Sequence, residues 1–359
     1  MSARTAVFDY SAGTAWVVTD AVERAIERAR AEGRSVRDAV RTETVRQFRS
    51  NPAFRERFRE AYREAGVDLA SVTVSGAPPR DDLLAWQSRF DAAPWLRKVT
   101  SPDVAREVVA DDDVGVVLNT QNLGAAVGDD LDAIETLYGG GLRIFQLTYN
   151  PQNLLGAGCY ARSDCGLSTL GVEAVERLDE LGGIVDLSHC GRATTLDAIE
   201  VADRPVAVTH AGCAAVAEHE RCKGDDVLEA LADADGYMGV VGVPWFLAPG
   251  ADDPSLDAFF EHLEHAVSIL GPDRVGVGTD FAHVDAAAPD AYLHAAREYM
   301  VGKGFPEGYG EGYGGGFGAM RSYTDWPVLR EGLRERYDEE TVRGILGENF
   351  LSFWERHGG

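Results

Sequence analysis

The architecture this sequence predicts is a closed barrel of eight parallel strands alternating with helices, the (β/α)8 or TIM-barrel fold. Three observations predict it. First, three apolar runs in the second half each end on a residue able to hold a metal or a proton: Gly-Ile-Val-Asp-Leu-Ser-His189, Pro-Val-Ala-Val-Thr-His210 and Arg-Val-Gly-Val-Gly-Thr-Asp280. Active sites of such barrels are assembled from residues at the C-terminal ends of several parallel strands. Second, short apolar runs alternate with amphipathic helical stretches, the pattern of a parallel sheet. Third, no Gly-rich phosphate loop directly follows the first strand, which argues against the doubly wound alternative.

Taken in order, the predicted strands cover residues 6–10, 68–75, 115–121, 142–149, 184–189, 206–210, 237–245 and 275–280. Amphipathic helical segments are expected at 129–137, 169–181, 194–202 and 256–270. Two segments stand outside this repeat within an otherwise single barrel domain spanning 1–359. Residues 18–66, rich in Arg and Glu, read as a solvated helical insertion after the first strand. Residues 281–326 follow the eighth strand and carry the run Gly-Tyr-Gly-Glu-Gly-Tyr-Gly-Gly-Gly-Phe-Gly, a candidate lid loop or a plain connection.

Composition narrows the function. The chain has 359 residues, 45% hydrophobic, and a formal net charge of -25. That charge weighs against nucleic acid or an anionic membrane as partner, because both require a positive footprint. No long uninterrupted apolar run and no signal-like N-terminus is apparent, so a cytoplasmic location with no membrane partner is expected. Among 34 basic residues only Lys98, Lys223 and Lys303 are lysines, against 59 acidic residues. Such a surface fits a salt-rich cytoplasm, where ions screen self-repulsion. The five cysteines are odd in number and lack zinc-ribbon spacing, so reduced thiols are expected.

The strand ends supply the candidate chemistry. Alternation along a strand would place His189 on the face of Val185 and Leu187, His210 on that of Val206 and Val208, and Asp280 on that of Gly276 and Gly278. The third and fourth strands end on Gln121 and Tyr149, followed by Asn122 and Asn150, so all these end residues can converge on one mouth. Two neutral imidazoles on adjacent strands form a reasonable metal-binding pair. His219 and His283 are second choices near the mouth. His262, His265, His294 and His357 lack strand-end placement and read as structural.

Several motifs carry a family resemblance. They are Gly-Asp-Asp-Leu (128–131), Gly-Leu-Arg-Ile-Phe-Gln-Leu-Thr-Tyr-Asn (141–150), Gly-Leu-Ser-Thr-Leu-Gly (166–171), Ile-Val-Asp-Leu-Ser-His (184–189), Pro-Val-Ala-Val-Thr-His (205–210), His-Glu-Arg (219–221), Gly-Val-Gly-Thr-Asp-Phe (276–281) and Ile-Leu-Gly-Glu-Asn-Phe (345–350). Together they resemble the renal or membrane dipeptidases, peptidase family M19. The resemblance implies a metal-dependent, amidohydrolase-like barrel with a two-zinc site that hydrolyses dipeptides, and it suggests a homodimer. It implies His189 and His210 as ligands of one metal, Arg221 with Tyr149 and Asn150 at the substrate, and Asp280 as carrier of the proton from attacking water to leaving amine.

This chain departs from the family pattern in its first half. The Asp-x-His-x-Asp of the family's first strand corresponds to Asp9-Tyr10-Ser11-Ala12-Gly13, and no histidine precedes His189. The expected bridging carboxylate corresponds to Gln121, and the family's histidine after the fourth strand to Tyr149. What remains is a site for one divalent metal, zinc by the resemblance. Its further ligand is left open among Asp280, Asp9, Gln121 and a thiol such as Cys159 or Cys190. A divergent hydrolase of dipeptide-like small molecules is therefore expected. A non-peptidase enzyme using Tyr149, His189 and His210 as acid–base groups, and an inactive binding protein, stand as alternatives on the same barrel.

Overall fold

Eight parallel strands follow one another in chain order around a nearly closed barrel in the computed structural model, which describes residues 5–9, 13–16, 19–76, 78–251, 254–284, 298, 300–306, 320 and 322–357. The strands are β1 (Phe8–Asp9), β2 (Leu69–Thr73), β3 (Val114–Thr120), β4 (Leu142–Gln146), β5 (Ile184–Asp186), β6 (Ala207–Cys213), β7 (Tyr237–Val241) and β8 (Val275–Gly278). Each overlaps one of the eight predicted runs, and each pairs in parallel with the next. Helices fall where periodicity placed them, for example Thr169–Leu181, started by the Ser168 side chain and ended by Gly182 in the left-handed conformation.

The barrel interior changes character along the strands. Leu69, Val117, Ile144, Ile184, Ala207 and Tyr237 join one buried apolar cluster with Phe350, Phe353 and Trp354 of the C-terminal helix Asn349–His357. That cluster is the floor. Two residues further on, the same inward face carries Ser71, Asn119, Gln146, Asp186 and Thr209, all buried. Asn119 Nδ2 donates to Ser71 Oγ at 2.6 Å, and the Thr73 hydroxyl donates to Asn119 Oδ1 at 3.0 Å. A dry floor beneath a buried polar layer is what lifts functional groups to the C-terminal mouth.

This arrangement corrects the expected facing of the histidine strands. Val185, Leu187, Val206 and Val208 pack outward with the helix residues Ala174, Val175, Leu178 and Ala198. The inward positions are instead Ile184 and Asp186 on β5, and Ala207 and Thr209 on β6. His189 reaches the mouth from a turn after β5 ends, in which Cys190 N donates to Leu187 O. In β6 the pairing to β7 slips between Val208 and Ala211, and His210 lies in that irregularity. Strict two-residue parity fails at a turn and at a bulge, and both histidines lie at such breaks.

Asp9 ties β8 back to β1. Its oxygens accept from Thr279 N at 2.8 Å and Thr279 Oγ1 at 2.7 Å, with Trp326 Nε1 at 3.4 Å. Burial pushes the Asp9 carboxyl up to about 7, against the lowering effect of these donors. The folded protein therefore retains a proton between pH about 4 and about 7 that an unfolded Asp releases, so this group makes stability fall as pH rises through that window. The swing is at most roughly 4 kcal/mol. Asp9→Asn is expected to flatten the change in urea-unfolding stability between pH 5 and pH 8 and to raise it at pH 8. An unchanged pH profile would show that Asp9 is ionised in the fold.

The segment after β1 forms three helices, Asp20–Ala31, Val36–Ser50 and Pro52–Ala65. It is less solvated than its composition implies, because Phe48, Phe54, Phe58 and Tyr62 are buried in the main core. Of the candidate lid, residues 285–297, 299, 307–319 and 321 lie outside the described residues, the Gly-rich run among them. Among the described residues no helix is long and apolar enough to cross a membrane.

Candidate functional site

His189 and His210 meet at the mouth with ring centroids 5.1 Å apart, and both rings are buried. Burial, then the nearby Arg221 charge, holds both well below the ordinary histidine range, so both imidazoles are neutral. A neutral ring donates from one nitrogen and offers a lone pair on the other. Their neighbours decide which.

For His210 the decision comes from β5. The Asp186 carboxylate accepts from Ser188 N at 3.0 Å, Thr209 N at 3.1 Å and the Thr209 hydroxyl at 2.8 Å, as well as from the Ser188 hydroxyl. The single Thr209 proton is thus spent on Asp186. With the Thr209 proton on Asp186 rather than on Ser188 Oγ, 3.0 Å away, His210 Nδ1, 2.8 Å from Thr209 Oγ1, carries the proton of that contact. His210 Nε2 then keeps a bare lone pair, buried and without a hydrogen-bond partner. His189 is oriented in the same sense, with Nδ1 2.8 Å from Asn150 Oδ1.

Two cations sit beneath the pair. Arg221 is fully buried, and its Nη2 donates to His210 O at 2.8 Å while Nη1 donates to Ser188 O. Lys223 Nζ donates to Leu187 O at 2.8 Å and Cys190 O at 2.7 Å, bracketing the His189 turn, and burial lowers its pKa. These side chains fix the backbone that carries both histidines. Arg221 is thereby committed to carbonyls rather than standing open at the mouth, and its Nε is left without a partner.

The other predicted residues are distributed as follows. The half-buried Tyr149 stacks on His189 at 4.1 Å between ring centroids. Asn150 is fully buried against His189, with its Nδ2 unpartnered, so it orients that ring before it could touch a substrate. Asp280, partly exposed just past β8, has a positive φ of 55°. Asp9 uses its oxygens in barrel closure, and the Gln121 carbonyl accepts from Gln146 Nε2. Cys159 Sγ lies 3.6 Å from Asn150 Oδ1, and the Thr148 hydroxyl lies 3.3 Å from Cys190 Sγ.

Among the remaining histidines, His219 Nδ1 accepts from Arg221 N at 3.1 Å, and burial lowers its pKa to about 4. His262 spends both nitrogens on the backbone, at Cys213 N and Leu247 O. His265 pairs with Asp225 at the surface, and His357 meets Pro205 O. The His283 side chain and His294 lie outside the described residues. Sequence reasoning missed Asp186, Ser188, Thr209 and Lys223 as parts of the site. A usable signal was the polar residue directly before each histidine, Ser188 and Thr209, in otherwise apolar runs.

The orphaned His210 Nε2 and the matching orientation of His189 fit the imidazole half of a divalent-metal site. Among the described residues no group of three or more His, Cys, Asp and Glu side chains converges to hold an ion. The pair would supply two imidazole ligands to such an ion.

Comparison with known proteins places this geometry in context. The sequence profile of the membrane dipeptidases, peptidase family M19, matches residues 87–294. An uncharacterized dipeptidase of Schizosaccharomyces pombe is 28% identical over 262 residues, 69% of this chain and 56% of that protein. Dipeptidase verJ of Clonostachys rogersoniana is 34% identical over 151 residues, 41% of this chain and 38% of its own length. The chain thus spans about half, or less, of the curated relatives it matches. Among solved structures, an amidohydrolase from Pseudomonas aeruginosa superposes with a TM-score of 0.77 at 26% identity, covering 98% of this chain and 96% of the other. A metallopeptidase from Rhodobacter sphaeroides, liganded with a phosphinate mimic of L-Ala-D-Ala, shares the fold at TM-score 0.69 and 19% identity, covering 98% of this chain and 99% of that one.

Proposed function

Because the chain belongs to the membrane dipeptidase family, peptidase family M19, we propose that it is a hydrolase cleaving the amide bond of a dipeptide or similar small molecule, with one divalent metal, zinc by analogy, held by His189 and His210. The observation that carries this reading is the buried, unpartnered Nε2 of His210 beside the similarly oriented His189. When bound, such an ion supplies Lewis acidity and lowers the pKa of water.

The protein's own groups do the rest. Thr209 and Asn150 hold the imidazoles in the tautomer that presents Nε2. Tyr149, stacked on His189, offers a hydroxyl to the oxygen of a tetrahedral intermediate. Asp280, at the exposed end of β8, takes a proton from the attacking water and returns it to the leaving amine. The buried charges of Arg221 and Lys223 favour a substrate carboxylate at the mouth through space rather than by direct contact.

Metal analysis of the purified protein is expected to find about one divalent ion per chain. A screen of L,L- and L,D-dipeptides with added zinc at high salt is expected to reveal amide cleavage that chelation abolishes. Two ions per chain would restore a two-metal site. A second reading, acid–base catalysis by Tyr149, His189 and His210 without metal, rests on the stacking of Tyr149 on His189 at 4.1 Å and the 5.1 Å separation of the two imidazole rings. It would gain if turnover of a small metabolite survived chelation.

A further inference from the structure

Phe305 sits beside His189 without taking part in the chemistry above. It is 4% exposed, although it comes from the long segment after β8. Its ring lies 6.4 Å from His189, 6.0 Å from Tyr149, 5.8 Å from Tyr160 and 6.1 Å from Phe246, stacked on the last with planes 10° apart. His219 joins the same box, 6.4 Å from Tyr160 and 5.0 Å from Phe246. Phe305 is thus the hub of an aromatic box built on one side of the mouth.

The segment holding it is built for that position. Lys303 N and Phe305 N both donate to Met300 O, and Gly304 N donates to Val301 O, closing a helix end. Gly304 takes φ +90°, and a Cβ there would stand 3.0 Å from Pro151 Cγ and 3.4 Å from Asn150 Cβ. Only glycine fits this close approach at that φ. The Phe305 ring is thereby delivered beside Tyr149 and Asn150, the residues that contact His189.

We propose that Phe305 is the specificity-determining residue of this site, filling the aromatic box beside His189 so that the substrate side chain accepted there is apolar and small. The aromatic walls favour an apolar side chain, the neighbouring Arg221 guanidinium, 5.3 Å from Phe246, disfavours a cationic one, and the Phe305 ring occupies the space a large one would need. This rests on the hydrolase reading of the site.

The test uses the full-length, metal-loaded protein and its Phe305→Ala, Phe305→Leu and Phe305→Trp variants, each confirmed folded by its thermal melt. The kcat/KM for Ala-Ala is compared with those for Phe-Ala and Ala-Phe in both stereochemical series. The preference for the larger side chain at one position is expected to rise roughly tenfold or more in Phe305→Ala, to be intermediate in Phe305→Leu and to fall in Phe305→Trp. Activity appearing in Phe305→Ala alone would also support the proposal, with the ring as the obstruction. If the wild type cleaves dipeptides and the size preference is unchanged across the variants, the proposal is overturned while the hydrolase reading stands. If none of the four cleaves any of the peptides, the hydrolase reading falls and the proposal with it.

Discussion

His210→Ala is expected to lose metal uptake and amide hydrolysis together. The imidazole removed presents its buried, unpartnered Nε2 beside His189, whereas His357, whose Nε2 is also unpartnered, sits on the C-terminal helix with its Nδ1 at Pro205 O. Loss of Lewis-acid assistance is worth several kcal/mol of transition-state stabilisation, a fall on the order of 10³-fold in kcat or more. The informative control is His262→Ala. His262 is equally buried, but its nitrogens are bonded to Cys213 N and Leu247 O. Its removal should lower the unfolding free energy while leaving metal stoichiometry near one per chain. Equal metal content in His210→Ala and wild type would refute the assignment.

Asp186 yields the second large effect, by a separate route. Its carboxylate satisfies two backbone N–H groups and two hydroxyls at Ser188 and Thr209, all buried. Asp186→Ala strands these donors and is expected to cost about 3–5 kcal/mol in chemical denaturation. Asp186→Asn separates stability from chemistry. An amide N–H toward Thr209 makes that hydroxyl accept and frees its proton for Ser188 Oγ at 3.0 Å or His210 Nδ1 at 2.8 Å, and in the shorter contact the ring proton moves to Nε2. The lone pair available to a metal is then lost from the buried side. Zinc affinity, read by chelator competition, should fall about 10–100-fold or more in a protein that remains folded. An Asn variant binding zinc like the wild type would show that Asp186 does not set the His210 tautomer.

Much of the barrel was legible because its signals are local. Runs such as Val-Gly-Val-Val-Leu before Asn119 and Ile-Val before Asp186 have the apolar, β-branched character of strands buried on both faces. His189 and His210 stood out because each terminates such a run. The facing of their side chains was misread, since a turn after β5 and an irregularity in β6 reset the two-residue alternation. Phe305 carried no local signal. It lies beyond the repeat, in a stretch whose composition suggests only a loop, and its neighbours Tyr149, Tyr160 and Phe246 belong to distant segments.

The amino-acid sequence by itself determined the strand order, the helices between strands and the two histidines that close apolar runs, because hydrophobic periodicity and chain order are properties of neighbouring residues. Only the tertiary structure decided how those histidines are held. Arg221 and Lys223 are bound to the carbonyls of the histidine segments, Asp186 sets the His210 proton through Thr209, and His262 is distinguished from His210 by its backbone partners. The reason is physical. A buried polar atom must find its partner through space, and in a closed barrel the nearest partner is supplied by the adjacent strand or turn rather than by the adjacent residue.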